Sequence, residues 1–424
     1  MTALARTRAI LGGSAGNFVE WYDWFAYAAF SLYFAKVFFP GGDQTAQLLQ
    51  TAAVFAVGFL ARPVGAWVMG VYADRSGRKA ALVASVALMC LGSLIVAVVP
   101  GYRTIGPAAP VILTLARLVQ GLSVGGEYGA SATYLSEMAG RGRRGLWSSF
   151  QFVTLIGGQL AALAVLIVLQ NVLARGQLED WGWRIPFVIG ALLAVVVFWI
   201  QSRLAETASF DAVRATRPGG SITWRLIAGH PRECAMIFAL TAGGSLSFYC
   251  FTTYMQKFLT NSGHFSKAAA SEISAASLVV YLMAQPVGGW LGDKVGRRAL
   301  LACAFAAGAL ATWPLMSAIA ATDNPWIALG LVCAALVILT GYSSVSAVVK
   351  AELFPAHVRG LGVALPYAMA NAVFGGTAEY VALAFKQAGH EMLFYLYVSL
   401  VLAGAAAVAI AMRETRTASL ILED

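Results

Sequence analysis

Apolar residues run along the chain in blocks of about twenty, the length a helix needs to cross the hydrocarbon core of a bilayer. Twelve such blocks stand out, at roughly 10–34, 48–70, 80–99, 108–137, 147–170, 185–203, 233–260, 271–291, 300–320, 326–352, 361–386 and 392–412. Short polar segments separate them, and the longest interruption, at about 204–232, leaves six blocks on each side. The pattern predicts an all-α membrane protein with twelve transmembrane helices. It divides into an N-terminal six-helix bundle (1–203), a cytoplasmic linker (204–232) and a C-terminal bundle (233–424) with a short cytoplasmic tail.

The two sets of six echo each other. "GVYADRSGRK" (70–79) follows the second block, and "GWLGDKVGRR" (289–298) follows the eighth, 219 positions later. Glu137 is followed seven residues on by Arg144-Gly145, and Glu352 by Arg359-Gly360, at an offset of 215. Two unrelated signatures at nearly one offset, each between equivalent blocks, mark a duplicated six-helix unit and predict two pseudo-symmetric bundles.

Composition agrees with the blocks. Of 424 residues, 59% are hydrophobic and 12% charged, with a mean hydropathy of +0.73, more apolar surface than a soluble domain can bury. The distribution of cations then orients the chain. With the N-terminus inside, nineteen of the 29 Lys and Arg residues fall in inner segments. Six fall outside (Lys36, Arg103, Arg175, Arg184, Lys267, Lys386) and four within blocks (Arg62, Arg117, Lys257, Lys350). That asymmetry predicts cytoplasmic termini. The net charge of +9 is accounted for by this topology and needs no nucleic acid. The basic N-terminal residues could imitate a signal peptide, but Glu20, Asp23 and the length of the apolar run favour an uncleaved first span. The five cysteines show no CxxC spacing and the four histidines no HExxH pairing, so neither a metal site nor a disulfide framework is expected. The glycine-rich "GLSVGGEYG" (121–129) follows no strand and lacks GK[ST], which excludes a phosphate loop. No nucleophile elbow or cofactor fingerprint points to an enzyme.

Candidate chemistry lies in the charges within the blocks, since an ionisable group in a span is costly and marks a site by default. "GNFVEWYDWFAY" (16–27) spaces Asn17, Glu20, Asp23 and Tyr27 three, three and four apart, one narrow stripe of a helix. Such a stripe must face protein or water. Its acids either carry a proton or neutralise an arginine of a neighbouring helix. In the fourth block Arg117, Gln120, Gly121, Tyr128 and Ser131 share a face, with Glu127 at its edge. Arg62 lies eight residues before Gly70, about 12 Å from the inner surface. A guanidinium at that depth suits bidentate capture of a carboxylate, or pairs with an acid of the first span. In the second half Tyr249, Thr252 and Gln256 share a face bordered by Lys257; Lys257 either lines the site or snorkels to the outer surface. Ser343, Ser346 and Lys350 form a second stripe, and Asn371, Gly375 and Glu379 a third; Lys350 either binds substrate or pairs with Glu352 or Glu379.

The G-x-x-x-D-[RK]-x-G-[RK]-[RK] loops and "RLVQG" (117–121) resemble the signatures of the major facilitator superfamily. "GNFVEWYDWFAY", "FLARPVGAW", "ARLVQGLSVGGEYGASATYLSEMA" and "GWRIPF" resemble its metabolite:proton symporter branch, whose members handle dicarboxylates, citrate, shikimate and betaine-type solutes. The resemblance spans about residues 10–410. It implies the major facilitator fold, alternating access, and proton-coupled uptake of α-ketoglutarate or a close dicarboxylate across a bacterial inner membrane. Protons would be the coupling ion, with no other cofactor, and the carrier would act as a monomer in the bilayer. Transport of citrate, shikimate or a betaine- or proline-type osmolyte is the alternative; Asp74 and Asp293 in both loops favour a working carrier over a sensing receptor. The resemblance implies that Arg117 pairs with Asp23 until a proton frees it, with Glu20 as a second coupling acid. It further implies that Asp74 caps a helix of the opposite half, in a gating cluster with Arg78 and Glu137. Asp293, Arg297 and Glu352 would be the matching set. Substrate would meet Arg62, Arg117, Tyr128, Tyr249, Gln256, Lys257, Lys350, Asn371 and Glu379.

Overall fold

A computed structural model describes residues 3–76, 78–124, 142–202, 229–417 and 419. The first half contains α1 (Ala3–Phe38), α2 (Gln44–Leu60), α3 (Arg62–Ser76), α4 (Arg78–Val98), α5 (Ala108–Val124), α6 (Arg144–Val172) and α7 (Ile185–Ser202). The second half contains α8 (Pro231–Phe248), α9 (Met255–Asn261), α10 (Lys267–Val295), α11 (Arg297–Ala321), α12 (Pro325–Ser343), α13 (Ser346–Glu352), α14 (Ala356–Ala370), α15 (Ala378–Gln387) and α16 (Glu391–Ala411). Consecutive pieces α2–α3, α8–α9, α12–α13 and α14–α15 each build one span, so the helices follow the twelve apolar blocks of the sequence. Helix is the only element among the described residues, as expected where no water can satisfy an open backbone.

Among the described residues, eight helical stretches are long and apolar enough to cross a membrane, and Val83–Val98 and Ala108–Ser123 are shorter apolar helices. The remaining two blocks are α1, which holds Glu20 and Asp23, and α14–α15, which holds Glu379. Burial separates central from peripheral helices. Over an apolar 18-residue window, the α8–α9 and α12–α13 spans are each 78% buried, against 22% for α11. From Trp21 to Ala35 every residue of α1 is buried. The peripheral helices instead expose large apolar side chains such as Trp67, Val168, Leu310 and Trp326, a surface suited to lipid.

Local sequence sets the ends and breaks. Asp43 accepts a hydrogen bond from the Ala46 N–H at 2.8 Å to cap α2, and Ser266 and Asn324 cap α10 and α12 in the same way. Gly296, between α10 and α11, has φ +104°, a conformation closed to most side chains, and an added Cβ would lie 2.7 Å from Glu414 Oε2. This accounts for the second glycine of "GDKVGRR". The α2–α3 span is interrupted at Ala61, just before Arg62-Pro63, where proline cannot donate its missing N–H. Spans seven and eleven contain π turns, Tyr249–Tyr254 and Asn371–Gly375, each widening the helix by one residue.

The halves meet at both ends of their interface. On the side of the GDKVGRR loop, Asp293 of α10 accepts hydrogen bonds from the Gly145 and Leu146 N–H groups, 2.8 and 2.9 Å, at the start of α6 in the other half. The approach is close enough that a Cβ on Gly145 would lie 2.5 Å from the Gly289 carbonyl oxygen. The Val348 N–H of α13 donates to Ser148 Oγ of α6 at 2.9 Å. At the opposite end, Glu179 pairs with Lys36 of α1 and, at 3.0 Å, with Lys267 of α10. Gln170 donates to Tyr33 Oη at 2.6 Å and to Ser271 Oγ at 3.1 Å. Among the described residues the two halves are therefore joined at both ends of their interface.

Candidate functional site

At the centre of the first half, α1, α4, α5 and α7 converge on Asp23. Ser93 Oγ of α4 donates to its Oδ1, and Gln120 Nε2 of α5 donates to its Oδ2 at 2.6 Å. Gly190 of α7 makes room, since a Cβ there would lie 3.0 Å from Oδ1. Arg117 Nη1 stands 3.7 Å from Oδ2 and donates instead to Gln120 Oε1 at 2.6 Å. Asp23 and Arg117 thus form a long salt bridge that Gln120 also spans by hydrogen bonds to both side chains. Both side chains are essentially inaccessible, at 2% and 0% exposure. Glu20, one turn before Asp23, is buried as well.

Aromatic rings hold the two arginines. Arg117 Cζ lies 3.9 Å from the Trp24 centroid and 4.5 Å from that of Tyr27; Arg62 Cζ lies 3.8 Å from Phe59, 4.2 Å from Trp24 and 5.1 Å from Trp21. Nε and Nη2 of both guanidinium groups are buried and have no hydrogen-bond partner among the described residues. Such groups cost about 1–3 kcal/mol each when left unsatisfied.

The second half supplies a different pair. Lys257 Nζ meets Glu379 Oε2 at 2.7 Å with both side chains buried. Lys257 therefore does not snorkel to the surface: the π turn before it rotates the end of the span inward, toward α15. The same turn corrects the single face read for Tyr249, Thr252, Gln256 and Lys257. Tyr249 packs across the interface on Phe59 (5.3 Å) and Phe25 (6.4 Å), whereas Gln256 donates to Ser271 at 3.0 Å. Asn371 and Tyr249 meet beside Gly375, where an added Cβ would lie 2.6 Å from Asn371 Oδ1 and 2.8 Å from the tyrosine ring. Lys350 donates to Tyr342 Oη at 3.3 Å and lies 4.5 Å from the Tyr367 ring. The two acids weighed as its partners pair elsewhere, Glu379 with Lys257 and Glu352 with Arg297 at 2.8 Å.

Arg297 also reaches Asp293 at 3.3 Å, so Asp293, Arg297 and Glu352 form one cluster at the mouth between the halves. Tyr128 and Glu137 lie outside the described residues, as does Glu127. Asp74 falls in α3 and Arg78 opens α4, but their side chains are outside the described set. The sequence reading missed Ser93 as an Asp23 partner, the aromatic walls of the arginines, and the Lys36–Glu179–Lys267 bridge. A lone serine in an apolar run was the only signal for the first. The bridge leaves no local signal, because Lys36, Glu179 and Lys267 come from segments far apart in the chain.

This arrangement, twelve helices in two similar halves with buried charges at their meeting point, defines a multi-pass membrane carrier. A family model described as "Sugar (and other) transporter" matches residues 9–218 and again 202–423. The chain belongs to that family and has the major facilitator fold. It is 53% identical to the alpha-ketoglutarate permease of Escherichia coli (strain K12), over 93% of this chain and 91% of that protein. It is 35% identical to the citrate-proton symporter of Klebsiella pneumoniae, over 90% and 85% respectively. The solved structure of the proton:xylose symporter XylE bound to 6-bromo-6-deoxy-D-glucose superimposes with a TM-score of 0.78, covering 97% of each chain at 18% identity.

Proposed function

We propose that the protein imports α-ketoglutarate, or a close dicarboxylate, together with protons by alternating access. The observation that carries the proposal is the pair of buried guanidinium groups, Arg62 and Arg117, which share the Trp24 ring and each leave Nε and Nη2 without a hydrogen bond among the described residues, with the carboxylate of Asp23 3.7 Å from Arg117. A dianion supplies the missing acceptors, and arginine presents its N–H groups in a fork that matches a carboxylate. The names of the relatives, a permease for alpha-ketoglutarate and a symporter for citrate and protons, support the same substrate class.

The electrostatics call for protons. A dianion entering an interior-negative cell works against about 4.6 kcal/mol per 100 mV, so two co-transported protons make the cycle electroneutral and a third lets the potential drive it. Asp23 is the acid in the right place. Protonation removes the charge that Gln120 relays to Arg117 and frees that guanidinium for substrate; Glu20 is the second acid of the same helix face. A betaine- or proline-type substrate fits less well, because the faces of Trp21, Trp24 and Tyr27 that would cage a quaternary amine are occupied by the protein's own Arg62 and Arg117. In this reading the membrane is the bacterial inner membrane, both termini are cytoplasmic, and the closure through Asp293 is the inner one.

Uptake of labelled α-ketoglutarate into proteoliposomes under an imposed pH gradient tests the substrate. Absence of uptake alongside robust uptake of citrate or betaine overturns it. Asp23→Asn tests the coupling: the variant is expected to lose gradient-driven accumulation, by tenfold or more, while retaining substrate exchange. Normal accumulation by Asp23→Asn would place the coupling acid elsewhere.

A further inference from the structure

Trp24 stands against two cations at once. Its ring centroid is 4.2 Å from Arg62 Cζ and 3.9 Å from Arg117 Cζ, so the guanidinium carbons are separated by no more than the sum of those distances, about 8 Å. The arginines arrive from different elements, Arg62 at the start of α3 and Arg117 from α5. Each leaves Nε and Nη2 without a hydrogen bond among the described residues. Arg117 is tied through Nη1 to Gln120 and lies 3.7 Å from Asp23, but neither contact reaches Arg62. The shared indole is the feature common to both.

The indole is itself immobilised. Trp24 is 1% exposed and packs on Phe59 at 4.9 Å and Phe55 at 5.5 Å. Behind it lies Gly58, where a Cβ would come within 2.8 Å of Trp24 Cη2 and 3.1 Å of the Arg117 carbonyl oxygen. The rotamer is held by two rings and a position that admits no side chain.

We propose that Trp24 is the positioning residue that sets the separation of the Arg62 and Arg117 guanidinium groups, and thereby selects dicarboxylates by the length of chain between their carboxylates. The inference rests on the dicarboxylate reading above. A diacid too short or too long leaves one set of buried N–H donors unmet, which costs more than a misplaced methylene in an apolar pocket. An aromatic spacer also suits a proton-coupled carrier. The Asp23–Gln120–Arg117 chain must rearrange when Asp23 gains a proton, whereas the attraction between a guanidinium and a ring carries no proton and persists through the cycle.

The test uses the full-length protein in proteoliposomes, as wild type, Trp24→Phe and Trp24→Leu. Succinate, glutarate and adipate compete with labelled α-ketoglutarate, alongside a monocarboxylate, propionate. Wild type is expected to separate the best from the worst diacid by about tenfold or more, and Trp24→Leu to compress that ratio to about threefold, with Trp24→Phe between them. Thermal unfolding in detergent shows whether each variant is folded, and the phenylalanine variant keeps a ring where leucine does not fold. If both variants weaken all three diacids by one common factor, or leave the ranking unchanged, Trp24 is a packing residue and the inference fails. If wild-type uptake is absent and no diacid competes, the dicarboxylate reading itself has failed, an outcome distinct from the first.

Discussion

In the first half of the molecule Asp23 and Arg117 stand 3.7 Å apart and communicate through Gln120; in the second, Glu379 and Lys257 are in direct contact at 2.7 Å. Both pairs are buried within the membrane-spanning region, yet they hold their charges differently. Arginine carries five N–H donors, and those on Nε and Nη2 of Arg117 make no hydrogen bond among the described residues. Lysine is a compact charge that one carboxylate oxygen can hold at short range. In the proposed cycle the loose pair is the one that exchanges its contacts for a ligand and a proton. The tight pair binds α9 to α15 just beyond the two π turns, and it acts as a strut until something separates it.

Breaking the strut should give the largest effect. Glu379→Gln or Lys257→Met leaves a buried charge uncompensated and is expected to destabilise the fold by about 3–5 kcal/mol, while Lys257→Met combined with Glu379→Leu recovers most of that loss. Thermal unfolding of the detergent-solubilised variants measures both. A double variant as unstable as either single one would show that the pair is not what holds the two helices.

The loose side should respond in binding more than in stability. Arg62→Lys keeps the charge but loses the fork, and the apparent affinity for α-ketoglutarate is expected to fall by about tenfold or more, equivalent to 1.5–3 kcal/mol of charged hydrogen bonding. Uptake kinetics against substrate concentration decide it, and unchanged affinity would return Arg62 to a packing role.

A smaller effect is expected where the halves meet at the other end. Glu179 lies between spans, with Lys36 on one side and Lys267 on the other. Burial acts to raise its pKa, but the hydrogen bonds and charges of the two lysines outweigh burial and hold the carboxyl below its ordinary range. Because the folded value is depressed, the closure it contributes is complete above the ordinary glutamate value of about 4.3 and is lost only as pH falls through the lowered one. Glu179→Gln should therefore loosen this end by no more than about 1 kcal/mol. Between pH 5 and 8 the wild-type closure should not titrate. Spin-label distances between α1 and α10 check both statements, and a closure that titrates near pH 6 would assign it to another group.

The apolar blocks showed the twelve helices because a bilayer leaves a backbone no alternative, and the paired loops showed the duplication. The stripe of Glu20, Asp23 and Tyr27 was legible for the same reason, as three- and four-residue spacing survives in a regular helix. That rule fails in the second half. Tyr249–Tyr254 and Asn371–Gly375 are π turns, and one inserted residue per turn sends Gln256 to α10 and Lys257 to α15, where a regular helix would have kept them beside Tyr249. The Arg117–Gln120 hydrogen bond was within reach of sequence reasoning, being three residues apart on one helix. Ser93 was not, because its position opposite Asp23 depends on how α4 packs against α1 and α5.

By itself the sequence determined the class of molecule, its duplicated design and the residues whose burial demands a function, because these follow from hydropathy, repetition and the cost of charge in lipid. Tertiary structure decided which charges meet. Lys257 chose Glu379, Arg297 chose Glu352, and Asp23 met Arg117 at 3.7 Å with Gln120 hydrogen-bonded to both. Partner choice depends on distances of an ångström or two between helices far apart in the chain. Those distances are set by packing across the bundle, at glycines such as Gly58 and Gly145 and at breaks in four spans, and no local pattern of residues encodes them.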